Sequence, residues 1–74
     1  MERTQEQQTQ LMHLSARYGY AFDDVEAALN KWHLLNLNND FQSLYDGLCI
    51  IAGNARNNNR ETLISAVESA VFLF

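Results

Sequence analysis

The sequence predicts an all-α fold, a small bundle of four short helices. Three observations carry this reading. Apolar residues recur at helical spacing in four stretches. The gaps between them hold glycine or clustered asparagine, residues that stop helices and make turns. The 74 residues include no proline and only three glycines.

The first stretch is led by a glutamine-rich segment, residues 1–10, whose beginning (1–6) is expected to fray. Leu11, Leu14 and Tyr18 then form an apolar edge with Met12 beside it. Gly19 is a good stop for this helix. The second helix is expected from Asp24 to Leu35. Asp23 and Glu26 have the spacing of a capping box, in which each side chain reaches the other's backbone N–H. Val25, Ala28, Leu29 and Trp32 fall at i, i+3, i+4 and i+7 on one face.

Asn36–Asn39 reads as a turn, because asparagine tolerates the left-handed backbone region and bonds back to its own main chain. Asn39 is the expected cap of a third helix, with Gln42 completing a box. Phe41, Leu44, Tyr45, Leu48, Ile51 and Ala52 follow at helical spacing. Gly47 lies inside this helix, where it costs about 1 kcal/mol relative to alanine. Such a residue implies the close approach of another backbone. A second joint is expected at Gly53–Asn58. Asn58 and Glu61 then cap a fourth helix, from about Asn59 to Phe74. Leu63, Val67, Ala70, Val71 and Phe74 form its core face, widened by Ile64, Ala66 and Phe72. The predicted core is Leu11, Leu14, Val25, Ala28, Leu29, Trp32, Phe41, Leu44, Leu48, Val67 and Val71.

A chain of this length is one domain, 1–74, near the lower limit of what folds alone. The apolar fraction of 47% is too high for a disordered segment. The formal net charge is −4, and the five basic residues are scattered singly. No basic stripe exists to neutralise phosphates, which argues against nucleic acid. The apolar runs are too short to span a membrane. A single cysteine, Cys49, cannot make an internal disulfide and points to an intracellular setting, cytoplasmic or nuclear.

Little in the chain suggests catalysis. Cys49, His13 and His33 lie on three different predicted helices, with no acidic partner at a telling spacing. Asp23 and Asp24 are explained by the positive end of a helix dipole. Asn57–Asn59 reads as a solvated turn plus a cap. No enzyme activity, metal or cofactor is expected. Tyr18 and Tyr20 flank Gly19 at a tight joint. One aromatic packs inward there and the other is available as a binding anchor.

Gly19-Tyr20-Ala21-Phe22-Asp23-Asp24-Val25-Glu26-Ala27-Ala28-Leu29 resembles the start of the second helix in ubiquitin-associated domains, especially the Cbl-type variety. The likeness extends over about residues 11–51. Leu11-Met12 stands for the apolar pair of the family's first helix. Tyr18-Gly19-Tyr20 stands for its Met-Gly-Phe or Met-Gly-Tyr loop, with Tyr18 in the methionine's place. Ala28-Leu29, Asn38-Asn39 and Leu48-Cys49-Ile50-Ile51 match its later landmarks. The segment Leu29–Asn38 is about one turn longer than the family's, and a fourth helix has no counterpart in the basic three-helix module.

The resemblance implies a protein-interaction module that grips the hydrophobic patch of ubiquitin. The expected contacts are Tyr18, Gly19 and Tyr20 in the loop, with Leu48 and Ile51 on helix three. A second functional class is a freestanding helical adaptor or inhibitor, of phage or viral type, that binds a host protein or pairs with itself. For that class, Phe72 and Leu73 on helix four are the expected contacts of a homodimer.

Overall fold

The computed structural model describes residues 3–59 and 61–71, the latter without the Val71 side chain. The described residues form four helices, α1 (Gln5–Tyr18), α2 (Phe22–Leu35), α3 (Phe41–Asn57) and α4 (Leu63–Val71), and no strand. The all-α bundle expected from the sequence is the fold observed. The ends of its helices differ from the sequence reading in instructive ways.

Helix α1 starts earlier than a frayed lead would allow. Thr4 is its cap: the Gln7 N–H donates to Thr4 Oγ1 at 3.1 Å, and the Thr4 N–H donates to Gln7 Oε1 at 3.0 Å. This reciprocal box satisfies two free N–H groups at the helix start. Arg3, just before the cap, forms an ion pair with Glu26 of α2. The helix ends at Gly19 as expected, with φ 72° in the left-handed region.

The expected Asp23–Glu26 box does not form. Helix α2 begins at Phe22, and Ala21 stands at its cap without a side-chain hydrogen bond. Glu26 and the neighbouring Asp24 have other partners. Glu26 pairs with Arg3. Asp24 reaches across to α4 and accepts from the N–H groups of Leu63 (2.6 Å) and Ile64 (3.0 Å). One carboxylate of α2 therefore caps the start of another helix, 39 residues on.

Asp40, not Asn39, caps α3, accepting from the Ser43 N–H at 2.9 Å. That bond holds the Asp40 carboxyl below its usual pKa. Asn39 donates its N–H to the Asn36 carbonyl within the turn (3.1 Å), and Gln42 donates to Asp46 rather than completing a box. The helix also runs through Gly53 to Asn57. Ala52 and Ala55 continue its buried face, so packing carries the helix past the glycine expected to stop it. The real joint follows, where Asn59 adopts φ 57°, a conformation that asparagine tolerates. Helix α4 starts at Leu63, where Thr62 Oγ1 accepts from the Ser65 N–H at 3.2 Å. The expected Asn58–Glu61 cap is displaced, because Asn58 closes the end of α3.

Helices α1 and α3 lie side by side and point the same way. The Tyr45 hydroxyl on α3 donates to the Gln10 carbonyl midway along α1 (3.2 Å). Near the end of α1, Tyr18 packs against Gly53. Helix α4 packs against both α2 and α3.

The core contains Leu11, Leu14, Val25, Ala28, Leu29, Leu44, Leu48 and Val67, as the spacing predicts, together with Tyr20, Ile51, Ala52, Ala55, Leu63, Ala66 and Ala70. Trp32 and Phe41, expected inside it, are partly buried and pack on its edge. Val71 lies outside what is described of side chains. No polar side chain is buried among the described residues.

Gly47 is explained by a side chain, not by a neighbouring backbone. A Cβ built there would stand 2.9 Å from Trp32 Nε1 and 3.4 Å from two further indole atoms. Gly47→Ala thus sets a gain of about 1 kcal/mol in helix propensity against displacement of the indole. The expected result is no net gain in stability, with tryptophan fluorescence shifted to the red as the ring moves into water. A variant stabilised by the full propensity, with unchanged fluorescence, would contradict this packing.

Candidate functional site

The Tyr18–Tyr20 turn is built from its neighbours on both sides. The Gly19 and Tyr20 N–H groups both donate to the Ser15 carbonyl, at 2.9 and 3.2 Å. This is how a left-handed residue closes the last turn of a helix. The Ser15 hydroxyl donates in return to the Tyr20 carbonyl at 2.5 Å. Arg56, in the last turn of α3, then fastens the turn from outside. Its Nε donates to the Tyr18 carbonyl at 2.5 Å and its Nη2 to the Gly19 carbonyl at 2.6 Å. The same guanidinium lies over the Tyr20 ring, 3.8 Å from its centroid. A cation over an aromatic face contributes about 0.5–1 kcal/mol at an exposed site. Arg56 bridges the turn and the end of α3, so the two form one continuous surface.

The structure separates the five described residues in which binding was expected. Tyr18 is half-buried and Gly19 exposed. Tyr20 is buried, 4% exposed, which makes it the inward-packing aromatic of the pair. Leu48 is fully buried and Ile51 is 9% exposed. As folded, Tyr20, Leu48 and Ile51 belong to the core and offer a partner almost no surface. The physical reason is the register of α3: Leu44, Leu48, Ala52 and Ala55 define its inward face, and Ile51 borders it. The residues of α3 that do lie beside Tyr18 and Gly19 are Gly53 and Arg56. Phe72 and Leu73 lie outside the described residues.

Arg56 was not singled out by sequence reasoning. A basic residue in the last turn of a helix is usually assigned to the helix dipole, and nothing local marks it as the partner of a turn 37 residues earlier. The placement of Gly53 at Tyr18 was likewise hidden, because a glycine followed by asparagine reads as a stop.

Among the described residues the titratable side chains show no reactive pairing. Cys49 is partly buried on α3, and its burial pushes the thiol pKa up. The thiol, not the nucleophilic thiolate, is then the form held at neutral pH. Burial also raises the Tyr45 hydroxyl. Among the described residues no group of three His, Cys, Asp or Glu side chains is placed to hold a metal ion. An open groove between the starts of α1 and α3, about 450 Å³, is lined by Thr4, Glu6, Gln7, Gln10, Asp40, Phe41 and Gln42. Its two carboxylates have no histidine, cysteine or lysine beside them. No described helix is long and apolar enough to cross a membrane.

Comparison with known proteins adds no family. No protein-family model matches the chain, and no curated protein or solved structure matches it.

Proposed function

We propose that this chain is a non-enzymatic protein-interaction module of the ubiquitin-associated type. Its binding surface is the Tyr18–Gly19 turn with the adjoining end of α3, and ubiquitin is the partner the resemblance implies. One observation supports this reading above the others: Arg56 clamps the turn carbonyls onto α3. A turn held in this way is pre-organised, so little ordering entropy opposes a partner that docks there. The contact residues are revised from those the sequence suggested. Tyr18, Gly19, Gly53 and Arg56 form the surface, while Tyr20, Leu48 and Ile51 support it from inside.

The test is a titration of isotope-labelled protein with ubiquitin up to near-millimolar concentration, followed by NMR. Amide shifts clustered at Tyr18, Gly19, Gly53 and Arg56 are expected. An unperturbed turn at saturating ubiquitin would rule the partner out.

A further inference from the structure

The α1–α2 turn and the α3–α4 joint are cross-tied, each by a side chain that flanks the other. Arg56 stands two residues before Asn58, the cap of α3. It crosses to the turn, where its Nε donates to the Tyr18 carbonyl and its Nη2 to the Gly19 carbonyl. Asp24 stands in the first turn of α2, just after that turn. It crosses the other way and accepts from the N–H groups of Leu63 and Ile64, just after the joint. The two ties run in opposite directions between the same two segments.

Each tie supplies what a helix end lacks. The last carbonyls of a helix and its first N–H groups have no partner within the helix. At the end of α1, the Ser15 carbonyl takes the Gly19 and Tyr20 N–H groups, and Arg56 is the donor for the carbonyls of Tyr18 and Gly19. At the start of α4, Thr62 serves the Ser65 N–H, and Asp24 serves those of Leu63 and Ile64. Both ties involve a charged group, the stronger class of hydrogen bond.

We infer that the turn and the joint form one latch, which opens and closes as a unit apart from the core. A hydrogen bond is lost beyond about 3.5 Å, so a small displacement of either segment breaks both ties. Opening the turn moves the start of α2 and draws Asp24 off α4. Opening the joint frays the last turn of α3 and draws Arg56 off the turn. Regions held by exposed hydrogen bonds open more readily than a buried core, and Arg56 is exposed while Leu29 and Leu48 are fully buried. A partner docked on the turn therefore also tightens the start of α4. That last step rests on the turn being the docking surface proposed above; the latch itself does not.

Native-state hydrogen exchange, read by NMR, tests the latch in the free protein. The probes are the Gly19 and Tyr20 amides on one side and those of Leu63 and Ile64 on the other. Arg56 bonds to neither Leu63 nor Ile64, yet Arg56→Gln is expected to speed exchange there by the same factor as at Gly19 and Tyr20, roughly tenfold. Asp24→Ala is expected to speed exchange at Gly19 and Tyr20 in the same way. Arg56→Lys keeps the charge but lacks the planar fork, so it should show most of the Arg56→Gln effect. Leu29 and Leu48 amides should hold their protection in all three variants. A response confined to the segment that lost its tie would overturn the inference. So would an equal response at Leu29 and Leu48, since exchange would then report unfolding of the whole domain. Saturating ubiquitin should slow exchange at Leu63 and Ile64 in the wild type and not in Arg56→Gln. Binding without that slowing would overturn the coupling to a partner. Absence of binding would remove ubiquitin as the partner, and the cross-effects in the free protein would still decide for or against the latch.

Discussion

Leu48→Ala should cost the fold about 2–5 kcal/mol, the range for truncating a fully buried leucine. A domain this small has little to spare, since net stabilities are typically about 5–15 kcal/mol. The variant is expected to melt far below the wild type, or to be only partly folded at room temperature. Leu48 is 0% exposed on the inward face of α3, among Leu44, Ala52 and Ala55, where the cavity left by its side chain cannot fill with water. The experiment also decides between two roles the sequence allowed for this residue. A surface contact would lose ubiquitin affinity and keep its melting temperature. A core residue loses stability first, and any loss of binding follows from unfolding. Denaturant melts and the titration, run on the same sample, separate the two. A variant with wild-type stability would place Leu48 outside the core and undo the facing of α3.

Most of the fold could be read from periodicity alone. Eight of the eleven expected core residues are fully buried, because the 3.6-residue period fixes a face whatever the helix packs against. Trp32 was placed on the right face of α2 but is only partly buried. Its ring lies along the seam with α3, where Gly47 makes room. What could not be read was the use of polar side chains between elements. Asp23-x-x-Glu26 is a correct local pattern, yet Glu26 is engaged by Arg3 and Asp24 by α4. Thr4-x-x-Gln7 is the same pattern and does form its box. Two equal local signals have opposite outcomes, and tertiary partners decide which is realised.

The turn illustrates the same division. Gly19 marks the joint and the left-handed residue it needs. The inward tyrosine, Tyr20, lies under Arg56, distant in sequence, a contact that the local pattern does not reveal. The joint after α3 was misplaced for a related reason. Gly53 is permissive of a stop but does not impose one, and the buried Ala52 and Ala55 reward continuing the helix.

Asp24→Ala is expected to destabilise the protein by about 2–3 kcal/mol, through α4 more than through α2. The carboxylate accepts from two N–H groups at the start of α4. Hydrogen bonds to a charged group are each worth about 1.5–3 kcal/mol, and solvent recovers part of that where the bonds are only partly buried. The described part of α4 has nine residues, fewer than the roughly 12–15 that an isolated helix needs in water. It therefore depends on its cap and on the burial of Leu63, Ala66, Val67 and Ala70. In α2, by contrast, Asp24 makes no capping bond to its own backbone, so its loss there leaves no N–H stranded. Asp24→Asn tests the charge separately: an amide oxygen can accept one of the bonds, so about half the loss should be recovered. Hydrogen exchange should localise the effect, with protection falling at Ser65–Ala70 while Ala28 and Leu29 keep theirs until global unfolding. Equal loss of protection in α2 and α4 would show that Asp24 stabilises its own helix, and that the bridge between the two helices contributes nothing.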